Sequence, residues 1–139
     1  MSCKYIIDSY AWIEYFRASK SGETARKYIE SQDSITPTIV VSEVSRKLMK
    51  EIELGNETME GRTQRLEFIR SSSCIVELDF EMAVEAGRIA VEMKKKEKGW
   101  GLADSIVLCL ARSKQGKVVT GDLHFKELDN VIFIKEQLL

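Results

Sequence analysis

The chain is short of the residues that interrupt or cross-link a fold. It holds one proline, Pro37, one histidine, His124, and three cysteines, Cys3, Cys74 and Cys109. A single proline and the lack of any polar tract exclude a disordered or low-complexity chain. Three thiols cannot all pair, and their spacing matches no zinc pattern. Each has apolar neighbours in sequence, so all three are expected as buried thiols in a reducing compartment. An excess of one charge is missing too, since 21 basic against 22 acidic residues leave a net charge of −1. That excludes a protein that coats nucleic acid through bulk charge, but not a local basic track. No apolar run is long enough to cross a bilayer. The run from Ser105 to Ala111 is bounded by Asp104 and Arg112, and Tyr5-Ile6-Ile7 is closed by Asp8, too early for a signal peptide. A cytoplasmic protein without membrane contact is expected.

What remains is an ordinary globular composition. The chain has 139 residues, 44% of them hydrophobic and 31% charged, which fits one domain over residues 1–139. Short apolar runs alternate with longer helical ones. Tyr5–Ile7, Ser34–Thr36, Ile75–Leu78, Lys117–Thr120 and Val131–Ile134 read as strands. Ala11–Phe16, Glu23–Ser31, Thr38–Leu54, Glu57–Arg70, Phe80–Lys96 and Leu102–Ser113 read as helices, with Asp79 as an N-cap. The start of the third helix is ambiguous, because Ile39-Val40-Val41 is β-branched and also reads as strand. Alternation of this kind implies crossover units. The expected fold is α/β, a three-layer α/β/α sandwich with a mainly parallel central sheet.

Open parallel sheets bind ligands outside the carboxyl ends of their strands. Asp8 follows the first strand, and Asp122 follows Val118-Val119-Thr120 after one glycine. Asp104 falls in the first turn of the Leu102 helix and Glu43 near the start of the helix after Pro37. Helices that cross back over a sheet start at that same edge, so four acids are expected to converge. The Leu102 helix is apolar nearly all round and reads as buried, which makes a carboxylate on it expensive. Each acid has a plainer reading. Asp8 fits an N-cap, Asp104 a helix-dipole charge, Glu43 a half-exposed surface acid and Asp122 a turn residue. Together they repel unless a cation or protons intervene. A hard divalent ion such as Mg²⁺ or Mn²⁺ accepts all-oxygen ligands and keeps waters for a phosphate, so the set points to metal-assisted phosphoryl chemistry.

The segments YIIDSYAWIEYF, TPTIVVSEVSRKL, GLADSIVLCLAR and VVTGDLHFKEL resemble, in order and spacing, the four sequence blocks of the PIN-domain family, and most of all its VapC-type toxins. The resemblance implies a metal-dependent endoribonuclease with Asp8, Glu43, Asp104 and Asp122 as metal-site acids. It also implies Thr120 as a small hydroxyl residue beside the metal, with Ser9 able to contribute. It further implies an RNA substrate, products with 5′-phosphate and 3′-hydroxyl ends, a homodimer, and an antitoxin protein (VapB-like) as partner. Arg46, Lys47, Lys50, Arg112 and Lys126 are candidate phosphate contacts by proximity to the motifs, against the plainer reading of a solvated face. For His124 a structural or idle role is favoured over proton transfer. Trp12, Tyr15 and Phe16 read as packing of the first helix or as a dimer or antitoxin surface.

Other readings stay open at this level. One is a housekeeping PIN ribonuclease in RNA maturation or decay. A second is a non-catalytic RNA-binding domain. A third is a phosphoacceptor receiver-like signalling domain built on Asp79, Thr120 and Lys135, which lacks the acidic pair after the first strand.

Overall fold

The structure, a computed structural model, describes residues 3–136, so Met1, Ser2 and the last three residues of the expected domain lie outside it. The chain runs β1 (Tyr5–Ile7), α1 (Ser9–Phe16), α2 (Lys20–Ile29), β2 (Ser34–Pro37), α3 (Thr38–Glu53), α4 (Met59–Ser72), β3 (Cys74–Val76), α5 (Phe80–Lys96), α6 (Leu102–Ser113), β4 (Lys117–Thr120), a 3-10 turn (Leu123–Phe125) and β5 (Val131–Phe133). The five strands form one sheet in the order β3-β2-β1-β4-β5. Every pairing is parallel, with Ile6 opposite Ile35 on one side and Val118 on the other. The expected α/β fold is therefore present, with a wholly parallel sheet. Successive strands move one way from β1 to β3, then jump back past β1 to β4. Right-handed crossovers place α1 to α4 over one face and α5 and α6 over the other, giving three layers.

Local chemistry sets the helix starts. Ser19, Thr58 and Asp79 cap α2, α4 and α5 by accepting hydrogen bonds from the backbone N–H of Gly22 (3.1 Å), Gly61 (2.9 Å) and Met82 (2.8 Å). The β-branched run after Pro37 is helical. Val40, Val44 and Leu48 are buried at the helical period, and that burial outweighs the weak strand preference of three residues. The Leu123–Phe125 turn, read from the sequence only as a turn, forms because Asp122 Oδ1 accepts from the His124 N–H at 3.0 Å.

The core joins Ile6, Ile7, Val118 and Val119 of the central strands to Trp12, Ile29 and Val44 of α1, α2 and α3 and to Ile89, Leu108 and Leu110 of α5 and α6. Buried hydroxyls satisfy each other in a chain. Trp12 Nε1 donates to Thr36 Oγ1 at 3.1 Å, and Ser73 Oγ lies 2.7 Å from Thr36 Oγ1 and 2.9 Å from Ser34 Oγ.

Two expectations are corrected. Of the cysteines only Cys109 is buried. Cys3 is half-buried and Cys74 is exposed, because Cys74 opens the edge strand β3, where no neighbouring strand covers it. The receiver-like reading also fails, since that fold orders its strands 2-1-3-4-5, whereas here β1 lies between β2 and β4.

Candidate active site

The sheet order reverses direction between β1 and β4, so the topological switch point is the carboxyl end of those two strands. Asp8 sits there. It occupies the N-cap position of α1 but makes no capping bond. Its side chain turns across the sheet, where Thr120 Oγ1 donates to Asp8 Oδ2 at 2.8 Å. The same Thr120 oxygen accepts from the Asp122 N–H at 3.0 Å. One hydroxyl thus ties the end of β1 to the loop after β4, and Thr120 itself is fully buried.

Asp104 is placed by the segment Gly99-Trp100-Gly101. Trp100 is buried against Phe125, with ring centroids 4.9 Å apart, and its Nε1 donates to Ser105 Oγ at 2.7 Å. Asp104 Oδ2 accepts from the Gly101 N–H at 2.9 Å and so closes the first turn of α6. The helix is buried from Ser105 to Ala111, but Leu102 is exposed and Asp104 only half-buried. The buried carboxylate of the set is Asp8 instead, because it ends a central strand.

Asp8, Ser9, Glu43 and Asp122 line one cleft of about 350 Å³, together with Tyr10 and Arg17 and, from α3, Arg46, Lys47 and Lys50. Asp104 acts on it from the side, as its charge bears on both Asp8 and Glu43. Burial pushes the Asp8 carboxyl up to about 7. The Thr120 bond opposes this, and the charges of Glu43 and Asp104 add to it. Burial likewise raises Glu43, partly offset by a hydrogen bond with Ser9 and by the Arg46 charge.

The cations divide. Arg17 is held by Glu14 at 3.0 Å and Glu51 at 3.6 Å, and Lys47 by Glu51 at 3.3 Å. Among the described residues Arg46 and Lys50 make no ion pair and are free to meet a ligand. Arg112 is not brought to the site. It lies at the far end of α6, about 12 Å along the helix from Asp104, and lines a cleft with Gly116 and Lys117 at the opposite edge of the sheet. Lys126 is exposed and does not line the acidic cleft. Trp12 is buried core, while half-buried Tyr15 stacks on Phe68 and Phe16 meets the same ring edge to face.

One contributor, Arg17, was not legible in the sequence, and a second, His124, was named there with a structural or idle role favoured. Arg17 reaches the cleft only because α1 packs along α3, and no spacing signals it. His124 faces the acids, with Nδ1 3.3 Å from Asp104 Oδ2 and 3.5 Å from Asp122 Oδ1. Its position two residues after Asp122 was the available signal.

Fold and site together define an α/β protein with an acid-lined cleft at the switch point of a parallel sheet. The chain belongs to the PIN-domain family, whose family model matches residues 5–131. No curated relative matches the sequence. Solved structures share the fold at low identity. A toxin–antitoxin complex from Klebsiella pneumoniae has a chain that superposes with a TM-score of 0.72 at 18% identity, covering 96% of this chain and 100% of that one. A protein of Pyrobaculum aerophilum gives 0.74 at 21% identity, covering 96% and 91%. VapC20 of Mycobacterium tuberculosis, described as a toxin that cleaves the sarcin-ricin loop, gives 0.69 at 15% identity, covering 88% and 93%.

Proposed function

We propose that this protein is a divalent-metal-dependent endoribonuclease and the toxin of a toxin–antitoxin pair. One observation carries the catalytic part: Asp8 is buried beside Glu43 and Asp104, with its carboxyl raised to about 7. Carboxyls buried and crowded in this way ionise together readily only when a positive charge joins them. The residues fit Mg²⁺ or Mn²⁺, since Asp8, Glu43, Asp104 and Asp122 are all oxygen donors and the cleft is open to water and phosphate. A divalent ion held by these carboxylates would supply water activation and charge stabilisation for hydrolysis of an RNA phosphodiester.

The chain's own groups do the rest. Asp8, Asp104 and Asp122 would hold the cation. Glu43 would join them or position the attacking water. Thr120 fixes the Asp8 carboxylate, and Ser9 bonds Glu43. Arg46 and Lys50 hold phosphates of the strand without reading bases, while Lys47 is partly occupied by Glu51. The toxin role rests on the fold's likeness to chains described as toxins and toxin–antitoxin complexes. It implies an antitoxin partner, a homodimer and a cytoplasmic setting. Among the described residues no helix is long and apolar enough to cross a membrane.

The test is cleavage of structured and unstructured RNA with Mg²⁺, Mn²⁺ or chelator. Cleavage is expected only with metal. Asp104→Asn should lower it at least about a hundredfold while leaving the melting temperature similar or higher. Full activity of that variant, or of the chelated protein, overturns the assignment. Growth arrest on expression, relieved by a co-expressed neighbouring small gene, separates a toxin from a housekeeping nuclease.

A further inference from the structure

His124 is set against the acids by more than one contact. Its backbone N–H donates to Asp122 Oδ1 at 3.0 Å, which bends the chain so that the ring returns over the carboxylates. On its other side the ring lies on Gly99. A Cβ at that position would stand 2.5 Å from His124 Nε2 and 3.0 Å from Cε1, so only glycine leaves the ring its place. Gly99 is in turn carried by the segment that Trp100 anchors to Ser105 and Phe125. Nδ1 is thereby turned towards Asp104 and Asp122, at 3.3 and 3.5 Å.

One donor atom from each of Asp104, Asp122 and His124 lies within 4.8 Å of the other two. Ligand atoms around an ion with bonds of about 2.0–2.2 Å stand roughly 3–4 Å apart, so a small closure brings all three onto one cation. As a plain hydrogen bond the histidine–Asp104 contact is long, beyond the usual 2.7–3.2 Å range, and Asp104 Oδ2 already accepts from Gly101.

We infer that His124 is a nitrogen ligand that joins Asp104 and Asp122 in a mixed nitrogen–oxygen metal site favouring late first-row ions such as Co²⁺ and Zn²⁺ over Mg²⁺. The inference rests on the metal-dependent reading above and specifies its ion preference. Imidazole suits zinc and its neighbours, whereas Mg²⁺ seeks oxygen in near-octahedral geometry. The acidic cleft then has two chemically distinct ends. Asp8 and Glu43 offer oxygen alone, and the α6 end offers oxygen and nitrogen.

The chain has a single histidine, so its ring nitrogens can be followed by NMR without assignment variants. The experiment titrates diamagnetic Zn²⁺ into the intact protein with ¹⁵N-labelled histidine. Nδ1 is expected to move from the free-imidazole to the metal-bound range at one equivalent, with Nε2 keeping its proton. Zinc on the exposed Cys74 thiol does not disturb this signal. In parallel, calorimetry on protein with Cys3 and Cys74 replaced by serine compares Zn²⁺ with Mg²⁺. His124→Ala should lower the Zn²⁺/Mg²⁺ affinity ratio about 10- to 100-fold, the scale on which groups supporting a metal site act. Zinc binding with the His124 ring signals unmoved, or an unchanged ratio in the variant, overturns the ligand assignment and leaves the ribonuclease reading standing. Absence of binding by any divalent ion overturns both. Should His124→Ala fail to fold, the wild-type spectrum decides alone.

Discussion

Asp8 shows what burial does to one residue. Its carboxyl titrates near 7 in the folded protein against 3.8 when exposed. Between those values the native state holds a proton that the unfolded chain has released, so this group's contribution to stability falls as pH rises from about 4 to about 7. Asp8→Asn removes the titration. In chelator the variant should be more stable than wild type at pH 8, by up to about 4 kcal/mol at 1.36 kcal/mol per pH unit, and no more stable at pH 4. Melting curves at the two pH values check this, and a gap independent of pH contradicts it. The same proton competes with metal, so metal affinity should climb with pH up to about 7 and then level off.

Thr120 acts on the same balance from outside. Its hydroxyl donates to Asp8 and accepts from Asp122. Thr120→Val should raise the pH at which metal binds, since the bond that favours the ionised carboxylate is lost. It should also cost about 1–3 kcal/mol, because the buried oxygen and N–H lose their partner. Calorimetric titration across pH together with urea denaturation measures both effects.

Among the elements, close packing decides more than propensity. Helix α2 lies on α1 through Gly22, where a Cβ would fall 2.1 Å from the Glu14 carbonyl oxygen. Backbone cannot yield there as a flexible side chain would. Gly22→Ala should destabilise the protein by about 1–3 kcal/mol or more, although alanine is the better helix former. Denaturant melts of the variant check the sign. Helix α3 makes the same point in reverse. Ile39-Val40-Val41 has the composition of a strand, yet the burial of Val40 with Val44 and Leu48 makes it helical. Helix α6 was readable as buried from its apolar run. That its first turn stays half-open, leaving Asp104 accessible, depends on Trp100 filling the space beneath the loop.

For the molecule as a whole, a net charge of −1 means that the proposed RNA binding would fall to a few local cations. Among the described residues Arg46 and Lys50 carry no ion pair, and Lys47 and Arg17 are shared with acids. A strand held by two or three phosphate contacts should show a shallow salt dependence, a log–log slope of about −1.5 to −2. Arg46→Ala should flatten it by about 0.7. Fluorescence titrations of chelated protein at several salt concentrations read the slope. A divalent ion at a hundred times its dissociation constant should stabilise the fold by about 2.7 kcal/mol, and Asp104→Asn should lose most of that gain in a thermal-shift assay.

Much of this was legible in the sequence because it follows from local pattern. The alternation of strands and helices, the cap at Asp79, and the acids after β1 and β4 are properties of short segments, which a hydrophobic period or a side-chain hydrogen bond decides in place. The order of the strands, the burial of Asp8 rather than Asp104, the exposure of Cys74, the removal of Arg112 to the far edge and the arrival of Arg17 at the acids were decided by tertiary structure alone. Each depends on which surfaces of distant segments come into contact, and no spacing along the chain encodes that distance.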